Sequence, residues 1–308
     1  MNEFKDSQIL VNSVLNNFIN SQKNNALEEM LTYAIVGGKR IRPIIALEIA
    51  KNILDISSIN DIEKNYANFD ILSNIIIFVE FLHSASLVLD DLPCMDNDDI
   101  RRGIETFHKK YNVKSAYLTA NFMIGKACSN LLKIINKSKT ISVNISTFII
   151  AEVFNNNFLT SLGQIKDLDS HDGRTSNFLD KVESKINSNQ YFNNLVKNIK
   201  TRNSAITDTD IKNLIWLNMK TFPLFYLSFL LPYLMLTKID KITASVNDML
   251  SKIEHISLCF SIMFQICDDM EDFEKDFQIN KTNSHLKIMS SQTILTLYKI
   301  CRNDFLRF

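Results

Sequence analysis

At 308 residues, with 34 basic and 34 acidic side chains, the chain has no global basic surface to argue for nucleic acid, and any anionic ligand must be met by local charge. Six glycines and four prolines leave little material for the turns of a many-stranded fold, which favours an all-α architecture over an all-β one. The five cysteines, Cys94, Cys128, Cys259, Cys267 and Cys301, lack paired CxxC spacing, so they suggest neither a zinc site nor a disulfide framework, and a reducing compartment follows.

In chain order, Met1 to Asp6 is acidic with no apolar run, which predicts no secretory or organellar leader and a cytoplasmic protein. Apolar residues at helical spacing predict a first helix over Gln8 to Ile19 and a second over Ala26 to Val36, stopped by Gly37-Gly38. A third is expected to begin at Pro43, a residue suited to a first turn. Between them, Gly37-Gly38-Lys39-Arg40-Ile41-Arg42-Pro43 sets three cations on a glycine-led turn before a helix N-terminus. That is either a phosphate pocket or a basic surface turn.

A polar stretch from Asp55 to Asn68 leads into a long apolar helix that ends at Asp90. Ile76, Val79, His83 and Asp90 share one stripe of it, so His83 points where Asp90 points. A lone histidine in such a run is either a satisfied core residue or part of a site. Pro93 cannot continue the helix, so an irregular loop must return Asp96 toward Asp90. Carboxylates Asp90, Asp91 and Asp96 after an apolar wall need partners. They suit a hard divalent cation such as magnesium. Arg101 and Arg102 add planar donors for phosphate oxygens. A solvated acidic loop is the alternative for this cluster taken alone.

Further helices are expected at Val113 to Ile135, Ser142 to Leu162, Asn177 to Ile199, Asp208 to Leu236, Ile242 to Phe273 and His285 to Phe308. Polar spacers such as Asn136 to Thr140 and Asp167 to Ser176 separate them. The apolar runs Ile71 to Leu89 and Phe222 to Leu236 are interrupted by Glu80, His83, Pro223 and Pro232, so they read as buried core helices and no transmembrane segment is expected. A second acidic cluster, Asp268-Asp269-Met270-Glu271-Asp272, follows another apolar helical run. Its Asp268 and Asp272 share a helical face, where like charges repel unless a cation sits between them. The expected architecture is an all-α, single-domain bundle over residues 1–308, of about ten or more helices around a central cavity across which the two acidic turns face each other.

With these motifs assembled, the sequence resembles the trans-isoprenyl diphosphate synthases. The resemblance rests on Gly37 to Pro43, Asp90 to Asp96 with Arg101-Arg102-Gly103, Gly163-Gln164, Lys220-Thr221, and Phe264-Gln265 with Asp268-Asp269, which occur in that family's order. It implies that Lys39, Arg42, His83 and Arg102 bind isopentenyl diphosphate. It places Arg101, Lys220, Thr221 and Gln265 on the allylic diphosphate. Asp90, Asp96 and Asp268 would hold magnesium, three ions per site, with Asp91 and Asp269 beside them in the catalytic set. It also implies a homodimer acting on small diphosphate substrates, with no nucleic acid. Departures include Ala120-Asn121 where the family has Gly-Asp, Lys166 inside the Gly-Gln segment, and a shortened lysine and glycine segment after Asp272.

Within that resemblance, Ala85 and Ser86 are small where a large residue shortens the product, and Phe81 lies a turn deeper as a candidate floor. A product beyond farnesyl, geranylgeranyl diphosphate, is the expectation. Two other readings remain open: a catalytically weak paralogue serving as a regulatory subunit, and a class I terpene cyclase. A cyclase, however, has no need of the Lys39 to Arg42 turn for a second diphosphate.

Overall fold

A computed structural model describes residues 2–56, 59–138, 140–172, 201, 218–279 and 291–306. Among them the elements are α1 (Asn2–Asn20), α2 (Asn25–Ile35), α3 (Ile41–Ile53), α4 (Ile59–Lys64), α5 (Tyr66–Asp90), β1 (Ile100–Arg101), β2 (Ile104–Glu105), α6 (Phe107–Lys110), α7 (Val113–Lys137), α8 (Val143–Asp172), α9 (Phe222–Leu236), α10 (Ala244–Ile279) and α11 (Ser291–Phe305). Among the described residues the fold is all-α apart from one hairpin of two-residue strands. The helices expected over Asn177 to Ile199 and over Asp208 to residue 217 lie outside the described residues.

Two compact units are present: Met1–Glu152 with Leu227–Ile242, and Val153–Tyr226 with Thr243–Phe308. The first is organised around α5, which packs against α7, α3, α1, α2 and α4. Helix α5 starts where Asn65 caps it by accepting the Asn68 N–H at 3.2 Å, an N-cap that satisfies one orphan donor of the first turn. It is apolar nearly all round, as a helix buried by neighbours on several sides must be. By length and composition it could cross a membrane, yet 72% of its most apolar window is buried within the protein. The N-terminal part of α10 leads into the second acidic cluster; the stretch Ala244–Asp268 passes the same length test with 44% of its most apolar window buried.

Several boundaries differ from the sequence expectation. Helix α3 begins at Ile41, and Pro43 takes its third position, where a missing N–H still costs nothing because first-turn donors have no intrahelical acceptor. The residue before it, Arg40, is left-handed at φ 59°. Helix α8 runs on through Gly163-Gln164 to Asp172, so part of the polar spacer expected from Asp167 is helical. Pro232 sits within α9. In the second unit α10 packs against α11, with Phe260 and Phe305 centroids 5.8 Å apart. Phe225 contributes edge-to-face contacts with Phe260 at 5.0 Å and Phe264 at 5.1 Å. All five cysteines are free thiols.

Candidate active site

The acidic turn at the end of α5 is built by backbone hydrogen bonds. The N–H of Asp96 donates to the Asp90 carbonyl at 2.9 Å, and those of Met95 and Asn97 donate to Leu92 at 2.8 and 3.1 Å. Asn97 takes a left-handed φ of 52° to close the turn, a conformation asparagine tolerates better than most residues. The loop therefore folds Asp96 back onto the helix end that carries Asp90, as Pro93 required. Asp90 is half-buried, Asp96 exposed, and Asp91 buried.

Asp91 is committed to the next segment. Arg101 donates to it through Nε and approaches with Nη2, both 2.5 Å from the same carboxylate oxygen. Burial pushes the Asp91 carboxyl up, against the pull of that guanidinium. Arg101 opens a hairpin in which Ile100 pairs with Glu105 and Arg101 with Ile104. Its two turn residues, Arg102 and Gly103, have φ of 53° and 80°, the pattern of a type I′ turn, whose twist matches that of the flanking strands. Tyr33 on α2 donates to the Glu105 carbonyl at 2.7 Å. The same ring meets Phe107 and Tyr111 edge to face at 6.0 and 5.6 Å, with the Lys110 ammonium 4.2 Å above it. These contacts dock the hairpin on α2 and fix Arg102 beside the glycine-led turn.

There the cations converge. Arg102 Nη1 donates to the Val36 carbonyl at 3.2 Å, and a side-chain carbon placed on Gly38 would lie 3.0 Å from that nitrogen and 2.2 Å from Arg40 Nη1. Only glycine leaves room for both arginines. Arg42, at the start of α3, reaches His83 Nε2 at 3.3 Å. A guanidinium can only donate, so His83 accepts through Nε2 and carries its proton on Nδ1. Burial, and then the surrounding arginines beginning with Arg42, hold the His83 pKa well below its ordinary 6.5, which keeps the ring neutral. Lys39 is exposed, and its carbonyl accepts from Gln8 at 3.4 Å.

Two residues the sequence reading did not assign hold this cluster. Arg40, only 7% exposed, donates from Nη1 to Glu80 at 2.7 Å and from Nε to Asn12 at 2.9 Å. Glu80, 1% exposed on α5, stands one turn before His83. Burial pushes its carboxyl up, opposed by Arg40, then Arg102 and Arg42. The signal for it was in the sequence: a lone acid inside an apolar helical run needs a buried cationic partner.

In the second unit, Gly163 packs so tightly that an added side-chain carbon would sit 2.4 Å from the Lys220 nitrogen and 2.6 Å from the Met219 carbonyl carbon. Thr221, on the same turn before α9, donates to Gln265 of α10 at 2.8 Å. Gly163-Gln164, Lys220-Thr221 and Gln265, far apart in sequence, are thus neighbours. Asp268 lies exposed one turn further along α10, and the Asp269 side chain lies outside the described residues.

Magnesium is ordinarily held by one or two carboxylates while phosphate oxygens and water complete its octahedron. The oxygen donors of Asp90 and Asp96 on one closed turn fit that ion. Among the described residues no three His, Cys, Asp or Glu side chains gather into a ready-made cage. Beneath the turn, Ala85 and Phe81 are fully buried and Ser86 half-buried. Phe81 rests edge to face on Phe18 of α1 at 5.2 Å. Phe18 in turn lines an open cleft of about 560 Å³, where Leu10 and Ile77 meet polar side chains including Asp70, Asn74 and Lys133. Ile77, Phe81 and Ala85 recur every four residues, so they lie along one stripe of α5.

An all-helical chain of this kind has the isoprenoid synthase fold. The crystal structure of geranyltranstransferase from Thermotoga maritima superposes with a TM-score of 0.68 at 21% identity, over 99% of this chain and 89% of that one. The chain belongs to the polyprenyl synthetase family, whose model matches residues 24–292. A chloroplastic geranylgeranyl pyrophosphate synthase of Capsicum annuum is 32% identical over 128 residues, covering 41% of this chain and 31% of that protein. A farnesyl diphosphate synthase of Buchnera aphidicola is 26% identical over 258 residues, covering 83% of this chain and 72% of that one.

Proposed function

We propose that the chain is a short-chain trans-prenyltransferase that condenses isopentenyl diphosphate head to tail with an allylic diphosphate. The observation that carries this is the pair of opposite charge devices on α5. His83 anchors an arginine cluster and Asp90 begins a carboxylate turn, seven residues or about 10 Å further along the same helix. One device is suited to a bare diphosphate and the other to a metal-bound one, so two diphosphates can be held side by side. A cyclase, which takes a single diphosphate, has no use for the first.

In this reading Lys39, Arg42, His83 and Arg102 hold isopentenyl diphosphate, His83 as a neutral acceptor that orients Arg42. Arg101, Lys220, Thr221 and Gln265 hold the allylic diphosphate, with Asp91 steadying Arg101. Magnesium held by Asp90 and Asp96, with Asp268 for a further ion and Asp269 beside it, would supply positive charge where the leaving diphosphate gathers negative charge. The allylic carbon–oxygen bond breaks with its electron pair on the diphosphate. The isopentenyl double bond then forms the new carbon–carbon bond, and a proton leaves to the released diphosphate. No covalent bond to the protein is required.

The small Ala85 and Ser86, with Phe81 below, support a geranylgeranyl product over farnesyl. Residues 1–308 acting as one catalytic domain, as a cytoplasmic homodimer, belong to the same proposal. The test is incubation with radiolabelled isopentenyl diphosphate, an allylic primer and magnesium, followed by extraction. Elongated prenyl diphosphates are expected. Hydrocarbon would assign a cyclase instead, and no product from the purified chain would assign a regulatory subunit.

A further inference from the structure

The arginine cluster contains a carboxylate that the proposed reaction does not use. Arg40, Arg42 and Arg102 lie around the Gly37-Gly38 turn and His83, and Glu80 sits among them almost wholly buried, in contact with Arg40 at 2.7 Å. Like charges gathered out of water repel strongly, and a carboxylate among them relieves that repulsion. A bound diphosphate would relieve the same repulsion from outside. The two anions therefore compete for one task, and the protein carries one of them permanently.

We propose that Glu80 is a built-in countercharge that holds the arginine cluster together when it is empty and, for the same reason, limits how tightly the cluster binds a diphosphate. This rests on the assignment of Arg42, His83 and Arg102 to a diphosphate. It adds a residue that sets the affinity of that site without touching the ligand. The backbone around the cluster fits a preassembled charge array. Arg40 holds a left-handed φ of 59° and Arg102 one of 53°, conformations that side chains other than glycine adopt at a cost and retain only where surroundings over-determine them. Glu80 and Asn12 are the groups that pin Arg40. The arrangement also suits turnover, because a cluster of uncompensated arginines would hold the elongated product, which keeps the diphosphate of isopentenyl diphosphate, as readily as the substrate.

A structural role and a countercharge role for Glu80 predict opposite signs for one measurement. In Glu80→Gln the hydrogen bond to Arg40 can persist through the amide oxygen, while the charge is gone. If Glu80 is the countercharge, the empty protein loses thermal stability and yet binds inorganic pyrophosphate about tenfold more tightly, a size expected for one unit charge at protein-interior screening. The pyrophosphate-induced rise in melting temperature is then larger than in the wild type, and KM for isopentenyl diphosphate falls while kcat does not rise. Glu80→Asp, which keeps the charge, keeps wild-type pyrophosphate affinity.

The measurement is pyrophosphate titration by calorimetry, with melting curves with and without the ligand, on the full chain. Weaker or unchanged pyrophosphate binding by E80Q beside normal binding by the wild type overturns the inference and leaves the prenyltransferase reading intact. Failure of the wild type to bind pyrophosphate overturns both. If E80Q cannot be recovered folded, the comparison is made between Arg40→Gln and the Arg40→Gln/Glu80→Gln pair, where no arginine depends on Glu80 for its hydrogen bonds. The double variant is expected to bind more tightly than the single one, and equal or weaker binding overturns the inference.

Discussion

Arg101 and Asp91 form a charged pair at 2.5 Å, with both guanidinium approaches falling on one carboxylate oxygen. The pair joins the end of α5 to the hairpin that carries Arg102, so the second carboxylate of the Asp90-Asp91 doublet is engaged in aligning the cations. The two neighbours should respond differently to removal of charge. Asp91→Asn should cost about 2 kcal/mol of stability, since it strips a charge-assisted bond from a buried group, and melting curves should show it. Asp90→Asn should leave the melting temperature nearly unchanged and lower prenyl transfer about a hundredfold or more. Equal melting temperatures for the two variants would count against the pairing.

Neutral His83 makes the fold acid-sensitive in a definite window. Its pKa is held well below 6.5 by burial and the neighbouring arginines, so below pH 6.5 the unfolded chain takes up a proton that the folded chain refuses. Its contribution is complete above 6.5 and is lost as pH falls toward the depressed folded value, at a limiting slope of about 1.4 kcal/mol per pH unit. Denaturant unfolding at pH 7.5, 6.5 and 5.5, compared with His83→Gln, isolates this term, because Glu80 and Asp91 are present in both proteins. The wild type should lose stability over that range more steeply than the variant. Parallel profiles would mean that His83 is not held neutral.

Gly163→Ala should be among the most disruptive small substitutions in the second unit. Its new carbon would lie 2.4 Å from the Lys220 nitrogen, and backbone on both sides leaves no flexible side chain to yield. Overpacking of this kind costs about 1–3 kcal/mol, and the displaced turn carries Lys220 and Thr221. Reduced melting temperature together with raised KM for the allylic substrate is the expected result. Gly125→Ala, where the added carbon meets nothing within 4 Å, serves as the control.

Chain length should follow the stripe Ala85, Phe81, Ile77. Ala85→Tyr fills the space nearest the acidic turn and should shorten the product. Phe81→Ala removes one partner of the Phe18 contact and opens the way toward the cleft lined by Ile77, so it should lengthen the product. Chromatography of the hydrolysed prenyl alcohols reads both. An unchanged length in each would dissociate this face of α5 from product size.

Much of the first unit was legible in the sequence because its signals are strong and local. An apolar run ended by Asp90, with Pro93 beyond, leaves few options for where α5 stops, and the return of Asp96 follows from that stop. The hairpin was not legible. Its strands are two residues each, too short for any alternating pattern, and the left-handed conformation of Arg102 is imposed by docking on Tyr33. The third helix begins two residues earlier than Pro43 suggested: Arg40, pinned by Glu80 and Asn12, takes the N-cap position with no side-chain capping bond, so no local cap signal marked the start. Helix α8 outran its expected end at Leu162 because Gly163 packs against the Lys220 backbone instead of ending the helix, and polarity from Asp167 onward does not stop one. The contact of Gly163 with Lys220 had no local signature, since it depends on two helices meeting.

The left-handed backbone at Arg102 has a consequence for anyone who sets out to make this protein hardier. Glycine or asparagine would suit that turn better than arginine, so a selection for thermal endurance would tend to exchange Arg102 for one of them. Arg40, left-handed as well, is not open to the same drift, because its loss would strand the buried Glu80. On the proposed reading, winners that had exchanged Arg102 would tolerate heat and grip isopentenyl diphosphate poorly, so a library aimed at robustness should hold that position fixed.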